Sequence, residues 1–332
     1  MMITANNGFI EQSERYAFNN AGESLKKYIL LKKGELAYNH GASKLRPYGS
    51  CFALTTAENA RIPFVYHCFS AENQNAEFMS IELNGAEIEN QLRKIVSSGA
   101  RMDGLLNISF DEYTSVSVLL PGTEEQDRIA DFFRHLDNLI TLHQRKFEKL
   151  TNVKKSMLEK MFPQNGSSYP KIRFKGFTDP WEQRKFSEIV DVCSGRDYKH
   201  LDEGPIPVYG TGGYMTSVSE ALSHNRDAIG IGRKGTIDKP YLLKAPFWTV
   251  DTLFYAIPKS DINLEFALCS FLNVDWKSKD ESTGLPSLSK ESINETVLSV
   301  PNVVEQNHLG NFFADLDRLI TLHQRKRLWF AK

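Results

Sequence analysis

Between Glu124 and Phe162 the chain contains neither Gly nor Pro, and its apolar positions return every seven residues. Ile129, Leu136, Leu150 and Met157 form one register; Phe133, Ile140, Phe147 and Met161 form the other. Two interleaved heptad registers mark a long helix whose stripe is made to pack against another helix. His143 and Lys154 are polar interruptions of that stripe. A window of about 39 residues would span roughly 58 Å as a helix, and Pro163 and Gly166 end it. A second window opens near Val304 and reaches Lys332, with Leu309 and Leu316 in one register, Phe313 and Ile320 in the other, and His323 where the first has His143. Such a pair would hide its stripes against each other and leave the alternating Lys/Arg and Asp/Glu positions wet.

The two windows are copies. Residues 121–146 read PGTEEQDRIADFFRHLDNLITLHQRK and residues 301–326 read PNVVEQNHLGNFFADLDRLITLHQRK, identical at 15 of 26 positions with an offset of 180. A period this long is no solenoid; it signals two domains, each followed by the same helix. The likeness begins earlier, since Gly284-Leu-Pro-Ser-Leu-Ser289 stands 180 residues after Gly104-Leu-Leu-Asn-Ile-Ser109.

Outside the helices, short β-rich runs dominate. Lys27–Leu31, Ser50–Leu54 and Phe64–Phe69 in the first half read as strands, with Gly34 and Pro47 as breakers, as do Ile206–Tyr209, Ala228–Ile231 and Thr252–Ile257 in the second. A helix is expected from about Asn75 to Ser97 with a break at Gly85, and another capped by Asn263 and running to Asn273. Glu125-Gln126 and Glu305-Gln306 suit first-turn dipole and capping roles.

Bulk composition narrows the class. A chain of 332 residues with 41% hydrophobic and 24% charged positions has room for two domains with cores. The net charge of −1 hides a basic stretch: Arg145 to Lys199 holds thirteen Lys/Arg against seven Asp/Glu. Such a stretch suits an anionic polymer, or equally a solvated helix face and linker. Cys51, Cys68, Cys193 and Cys269 are too scattered for a zinc or disulfide framework. Neither a secretory leader nor a membrane-length apolar run is present, so a reduced, cytosolic protein is expected.

Gly230-Ile-Gly-Arg-Lys-Gly235 fits the dinucleotide pattern, but Thr236-Ile-Asp-Lys-Pro240 follows where a helix should open. It reads as strand–turn–strand, either a plain surface turn or a hairpin presenting Arg233 and Lys234 on an exposed tip to phosphates or base edges. Tyr209-Gly-Thr-Gly-Gly-Tyr214 is a second glycine loop, with Tyr209, Thr211 and Tyr214 as contact candidates. Lys199, His200, Arg226 and Lys239 add charge nearby in sequence; Lys32, Lys33, His40, Lys44, Arg46 and Arg101 are the first-half counterparts. His143 and His323 read as a packed pair. An ATP loop, a methyltransferase motif, a nuclease cluster and a nucleophile elbow are all absent, so no catalysis and no cofactor are expected of this chain.

Three features resemble the specificity subunits of type I restriction–modification systems: Pro170-Lys-Ile-Arg-Phe-Lys-Gly-Phe-Thr-Asp-Pro-Trp-Glu182, the Pro-x-x-x-Glu-Gln approaches at 121–126 and 301–306, and Lys160-Met-Phe-Pro163. The resemblance implies α/β (α+β) recognition domains at 1–120 and 164–300. It implies conserved spacer helices at 121–163 and 301–332 forming an antiparallel coiled coil. It further implies double-stranded DNA, methyltransferase subunits and motor–nuclease subunits as partners. The chain would select the sequence while other subunits act on it. One departure stands out. Gly8-Phe-Ile10 aligns with Gly213-Tyr-Met215, so the first half has no counterpart of Pro170 to about Gly212, a shortfall of roughly 40 residues. The competing expectations are a remnant that binds methyltransferase subunits without DNA, and a nucleotide enzyme built on the Gly230 loop.

Overall fold

The computed structural model describes residues 1–5, 8–11, 28–96, 105–164 and 166–330, without the side chains of 327–330. Contacts divide the chain into two compact units, Met1–Leu139 and Ile140–Lys332.

The first unit opens with a hairpin of β1 (Met2–Thr4) and β2 (Gly8–Ile10). β3 (Ile29–Lys32), β4 (Leu36–Asn39), β5 (Ser50–Ala53), β6 (Asn59–Ile62) and β7 (His67–Phe69) follow. They form an antiparallel β3–β6 pair and a β5–β4–β7 sheet. β4 is buried on both faces because side chains alternate along a strand. Leu36 and Tyr38 join the cluster containing Phe78, Ile88 and Leu92, while Ala37 joins Ile3, Leu31 and Ile62. Those helical residues belong to α1 (Ala76–Glu82) and α2 (Ala86–Ile95), split at Gly85 as expected. α3 (Phe110–Thr114) precedes the long α4 (Thr123–Met161). Phe64–Tyr66, expected in a strand, instead form a turn closed by the Tyr66 amide on the Pro63 carbonyl (3.3 Å), leaving Phe64 exposed. Lys27 and Arg101 lie outside the described residues.

In the second unit β8 (Glu182–Lys185), α5 (Phe186–Ile189) and β9 (Val190–Ser194) lead into β10 (Ile206–Gly210), β11 (Gly213–Val218), β12 (Ala228–Gly232), β13 (Tyr241–Leu243), β14 (Trp248–Thr249) and β15 (Leu253–Pro258). α6 (Leu264–Leu272), α7 (Lys290–Glu295), β16 (Val297–Val300) and α8 (Val303–Phe330) close it. The sheets run β13–β12–β15–β9, β11–β10–β14 and β16–β8, with β10–β14 the parallel pair. The principal core sets Ile229, Ile231 and Ala256 of the first sheet against Phe266 and Phe271 of α6, Phe313 of α8, and Phe162 and Trp181.

Within this unit α4 and α8 run in opposite senses. His143 Nδ1 meets His323 Nδ1 at 2.8 Å, and Lys154 Nζ donates to both oxygens of Asp317 at 2.6 and 2.7 Å. Lys154, an interruption of the apolar stripe in sequence, is therefore neutralised across the pair. Leu309, Phe313 and Leu316 are buried, while Ile140, Phe147, Leu150 and Ile320 are half-buried. In the first unit Ile129 and Leu136 are half-buried but Phe133 is 42% exposed.

The duplicated sequence builds a duplicated clamp. Gln126 Oε1 accepts the Asn75 amide at 3.0 Å, and its Nε2 donates to Pro121 O at 2.9 Å. Gln306 does the same with Asn263 (3.0 Å) and Pro301 (3.0 Å). Asn75 and Asn263 in turn cap α1 and α6 by accepting the amides of Phe78 and Phe266. Both glutamines are fully buried, so their role is not first-turn capping of their own helices. Each ties a long helix to the start of a short one. Ser109 and Ser289, also 180 apart, cap α3 and α7 in the same way.

Candidate nucleic-acid interface

The site starts from a turn. β10 and β11 pair with Gly210 opposite Gly213, leaving Thr211-Gly212 as a two-residue loop. Gly213 has φ +104°, which a side chain would strain. Tyr241 holds the turn from behind by donating its hydroxyl to Gly210 O at 2.6 Å. Burial pushes the Tyr241 phenol far above its ordinary value, so it stays a neutral donor. Tyr214 is 64% exposed at the rim, its hydroxyl 3.1 Å from Ser217 Oγ.

The opposite wall comes from residues 195–199. A Cβ on Gly195 would lie 2.1 Å from Val250 O, so only glycine lets this backbone approach β14. Arg196 N–H donates to Thr249 O at 2.9 Å, and Trp248 Nε1 donates to Arg196 O at 2.9 Å. That weld brings Asp197, Tyr198 and Lys199 to face Thr211, Tyr214 and Met215 across a groove of about 690 Å³, floored by Val250–Thr252. The groove mixes one ammonium, two carboxylates (Asp197 and Asp251), hydroxyls and glycine amides. This is chemistry for hydrogen bonding to base edges and phosphates rather than for nonspecific attraction alone.

Arg233 and Lys234 are not on a free tip. Their amides donate to Thr252 O at 2.8 and 3.3 Å, Gly235 N–H to Pro286 O at 2.8 Å, and Leu288 N–H to Arg233 O at 3.0 Å. The connection is braced on both sides while both side chains remain exposed. Arg233 Nη1 reaches Asp251 O at 3.4 Å, and the guanidinium lies 5.8 Å over the Phe254 ring. Arg233, Lys234 and Lys290 line a second groove of about 380 Å³, which adjoins the first at the 251–254 turn.

Tyr209, Thr211, Tyr214, Lys199, Arg233 and Lys234 thus converge on one region, and others do not. Arg226 precedes β12 while Arg233 follows it, seven extended residues or roughly 23 Å away; its Nη2 is spent on Pro258 O at 2.7 Å. Lys239 is exposed on the β12–β13 connection, beside Asp238, which pairs with Lys277 at 2.8 Å. In the first unit Lys33 and Lys44 are exposed beyond opposite ends of β4. Lys33 pairs with Glu58 at 2.7 Å. Arg46 is a strut, donating to Asn84 O at 2.8 Å and pairing with Glu89 at 3.7 Å. Charge along the sequence does not reveal which cations are already partnered at long range. Arg196 and Lys290 flank the grooves too, and no local sequence pattern marks either of them.

Residues 178–328 match the model of the type I restriction modification DNA specificity domain. The second half of this chain is such a specificity domain. The match contains both grooves and the second copy of the clamp. The chain is 29% identical over 273 residues to the type I restriction enzyme MjaVIII specificity subunit of Methanocaldococcus jannaschii, an alignment covering 70% of this chain and 62% of that protein. It shares its fold with the type I restriction–modification S subunit from M. genitalium, with a TM-score of 0.62 at 16% identity over 92% of this chain and 82% of that one. A chain from a solved type I R-M system gives a TM-score of 0.52 at 14% identity over 91% and 79%. The mixed helix-and-strand class expected from sequence is the class observed.

Proposed function

We propose that this chain is a DNA-sequence specificity subunit of a type I restriction–modification complex and performs no chemistry itself. The observation that carries the reading is the specificity-domain match over 178–328, which includes the Lys199–Tyr214 groove and the Arg233–Lys234 connection. In this reading residues 1–120 and 164–300 are recognition domains and residues 121–163 and 301–332 are spacers pairing as an antiparallel coiled coil. The target is bipartite. Methyltransferase subunits dock on the spacers, motor–nuclease subunits join through the assembly, and the complex works in the cytoplasm on double-stranded DNA. Lys199, Arg233 and Lys234 would meet phosphates, while Tyr214, Thr211 and Asp197 would meet base edges.

The physical test is the salt dependence of duplex binding, followed by fluorescence anisotropy with the full chain. Each phosphate contact contributes about one unit to the slope of log K against log salt. Lys199→Ala and Lys234→Ala should each flatten the slope and weaken binding across all sequences, whereas Tyr214→Ala should weaken the preferred sequence most. Unchanged binding in all three at low and moderate salt would remove both grooves from the interface.

A second reading, assembly with methyltransferase subunits without specific DNA binding, draws on the first unit, where Lys33 and Arg46 are already partnered. A chain that co-purifies with methyltransferase subunits yet shows no duplex binding would favour it.

A further inference from the structure

The floor of the first groove is the turn at 250–252, and its backbone is held from several directions. Val250 N–H donates to Tyr209 O at 3.0 Å, and Leu253 N–H donates to Val250 O at 3.0 Å. Thr252 O accepts the amides of Arg233 and Lys234 at 2.8 and 3.3 Å. Arg233 Nη1 adds a contact to Asp251 O at 3.4 Å. Asp251 is thus fixed where the two grooves adjoin, exposed and lining the Lys199–Tyr214 groove. Its carboxylate has neither an ion pair nor a hydrogen bond among the described residues. Asp197, the other carboxylate of that groove, differs: its Oδ1 accepts the Lys199 amide at 3.5 Å, within its own loop.

A rigidly placed carboxylate without a partner is an odd group on a surface that meets phosphates. The phosphates repel it, and it gains only where the DNA offers a hydrogen. In the major groove the bases offer two such groups, the N4 amine of cytosine and the N6 amine of adenine. A carboxylate does not treat them alike. Adenine N6 stands beside N7, an acceptor whose lone pair opposes the second carboxylate oxygen. Cytosine presents its N4 amine with no acceptor of its own on that edge.

We infer that Asp251 is a specificity-determining residue, which selects cytosine at one position of the target by accepting a hydrogen bond from N4. The inference rests on the DNA-binding reading of this groove and adds to it a base and the residue that reads it. The same chemistry fixes what substitutions do. Asp251→Asn keeps the size of the side chain but turns one acceptor into a donor, which fits adenine N6 and N7 together. It therefore moves the preference at that position from cytosine to adenine and leaves the other positions alone. Asp251→Ala removes the acceptor and leaves that position without a preference. Because the carboxylate is exposed and unpartnered, neither change disturbs the fold.

The test is selection of bound duplexes from a randomised pool by the full chain and by both variants, sequenced side by side. Anisotropy then compares two duplexes that differ only by cytosine or adenine at the position the variants alter. The wild-type chain should prefer the cytosine duplex by about tenfold, Asp251→Asn should reverse the order, and Asp251→Ala should bind the two alike. A wild-type preference that survives both substitutions would overturn the inference and leave the DNA-binding reading standing. So would tighter binding of every sequence by both variants with the preference unchanged, since the carboxylate would then act only as a repulsive charge. A wild-type chain that enriches no sequence would overturn both.

Discussion

Glu305 and Glu125 hold the same place in two copies of one helix start, yet only Glu305 is out of water, locked to Arg173. Phe313 and Phe133 differ in the same way, one buried and one open. The buried glutamines share their main contacts: Gln126 and Gln306 make matching hydrogen bonds to their asparagine partners and prolines, and Gln126 adds one to Gln74. The duplicated helix therefore has two separable jobs. One is a polar clamp onto its own globular unit, complete in both copies. The other is an apolar and ionic face, which among the described residues is covered in the second unit and open in the first.

That separation gives graded expectations. The largest contrast should be Phe313→Ala, costing about 3–5 kcal/mol as a buried aromatic truncation, against Phe133→Ala at about 0.5 kcal/mol or less. Urea denaturation of both variants measures it, and equal losses would erase the distinction. Next, Glu305→Gln leaves a largely buried guanidinium without its anion and should cost about 3 kcal/mol. Glu125→Gln should leave the urea midpoint where it is. The clamp should behave symmetrically: Gln126→Ala and Gln306→Ala each orphan a half-buried asparagine amide and should each cost about 1–2 kcal/mol. Amide hydrogen exchange at Asn75 and Asn263 would register the loss in the unit carrying the mutation, and protection unchanged in either would break the parallel.

The smallest effect concerns pH. Loss of water around the rings, reinforced by the ammonium groups of Lys326 and Lys146, holds His143 below the ordinary histidine value; His323 is lowered by the same loss of water, by His143 and by those lysines. The Nδ1–Nδ1 contact also requires one ring to accept. A depressed folded value means that the unfolded chain binds more protons in this range, so stability rises with pH. The contribution is complete above about pH 6.5 and fades as pH falls toward the lower folded values. Melts at pH 5 and 7.5 should therefore differ, and His143→Leu with His323→Leu should narrow the gap; an unaltered gap would mean the pair does not titrate this way.

What the sequence disclosed follows from the range of the forces involved. The long helices were legible because heptad spacing and the lack of Gly and Pro are local signals. The break at Gly85 and the cap at Asn263 were local too. β4 and β12, whose neighbours set their burial, carry weaker local signals: no run marks β4, and the run at 228–231 stops one residue before β12 does. The clamp looks like helix capping in sequence because its partners lie 51 and 43 residues away. Arg46 and Arg226 looked available because sequence shows a charge but not the carbonyl that occupies it. Within the candidate interface the glycine turn at 209–214 was visible, whereas the wall at 195–199 depended on Gly195 meeting β14, which no local pattern encodes.

Sequence selection asks whether the grooves of this chain choose among DNA sequences. The full chain is incubated with a pool of randomised duplexes at moderate salt, and the bound fraction is sequenced through successive rounds. One sequence should be enriched, and Tyr214→Ala together with Lys199→Ala should abolish the enrichment while the circular-dichroism spectrum stays unchanged. A pool that stays random with the wild-type chain, or an enrichment untouched by those substitutions, would contradict it.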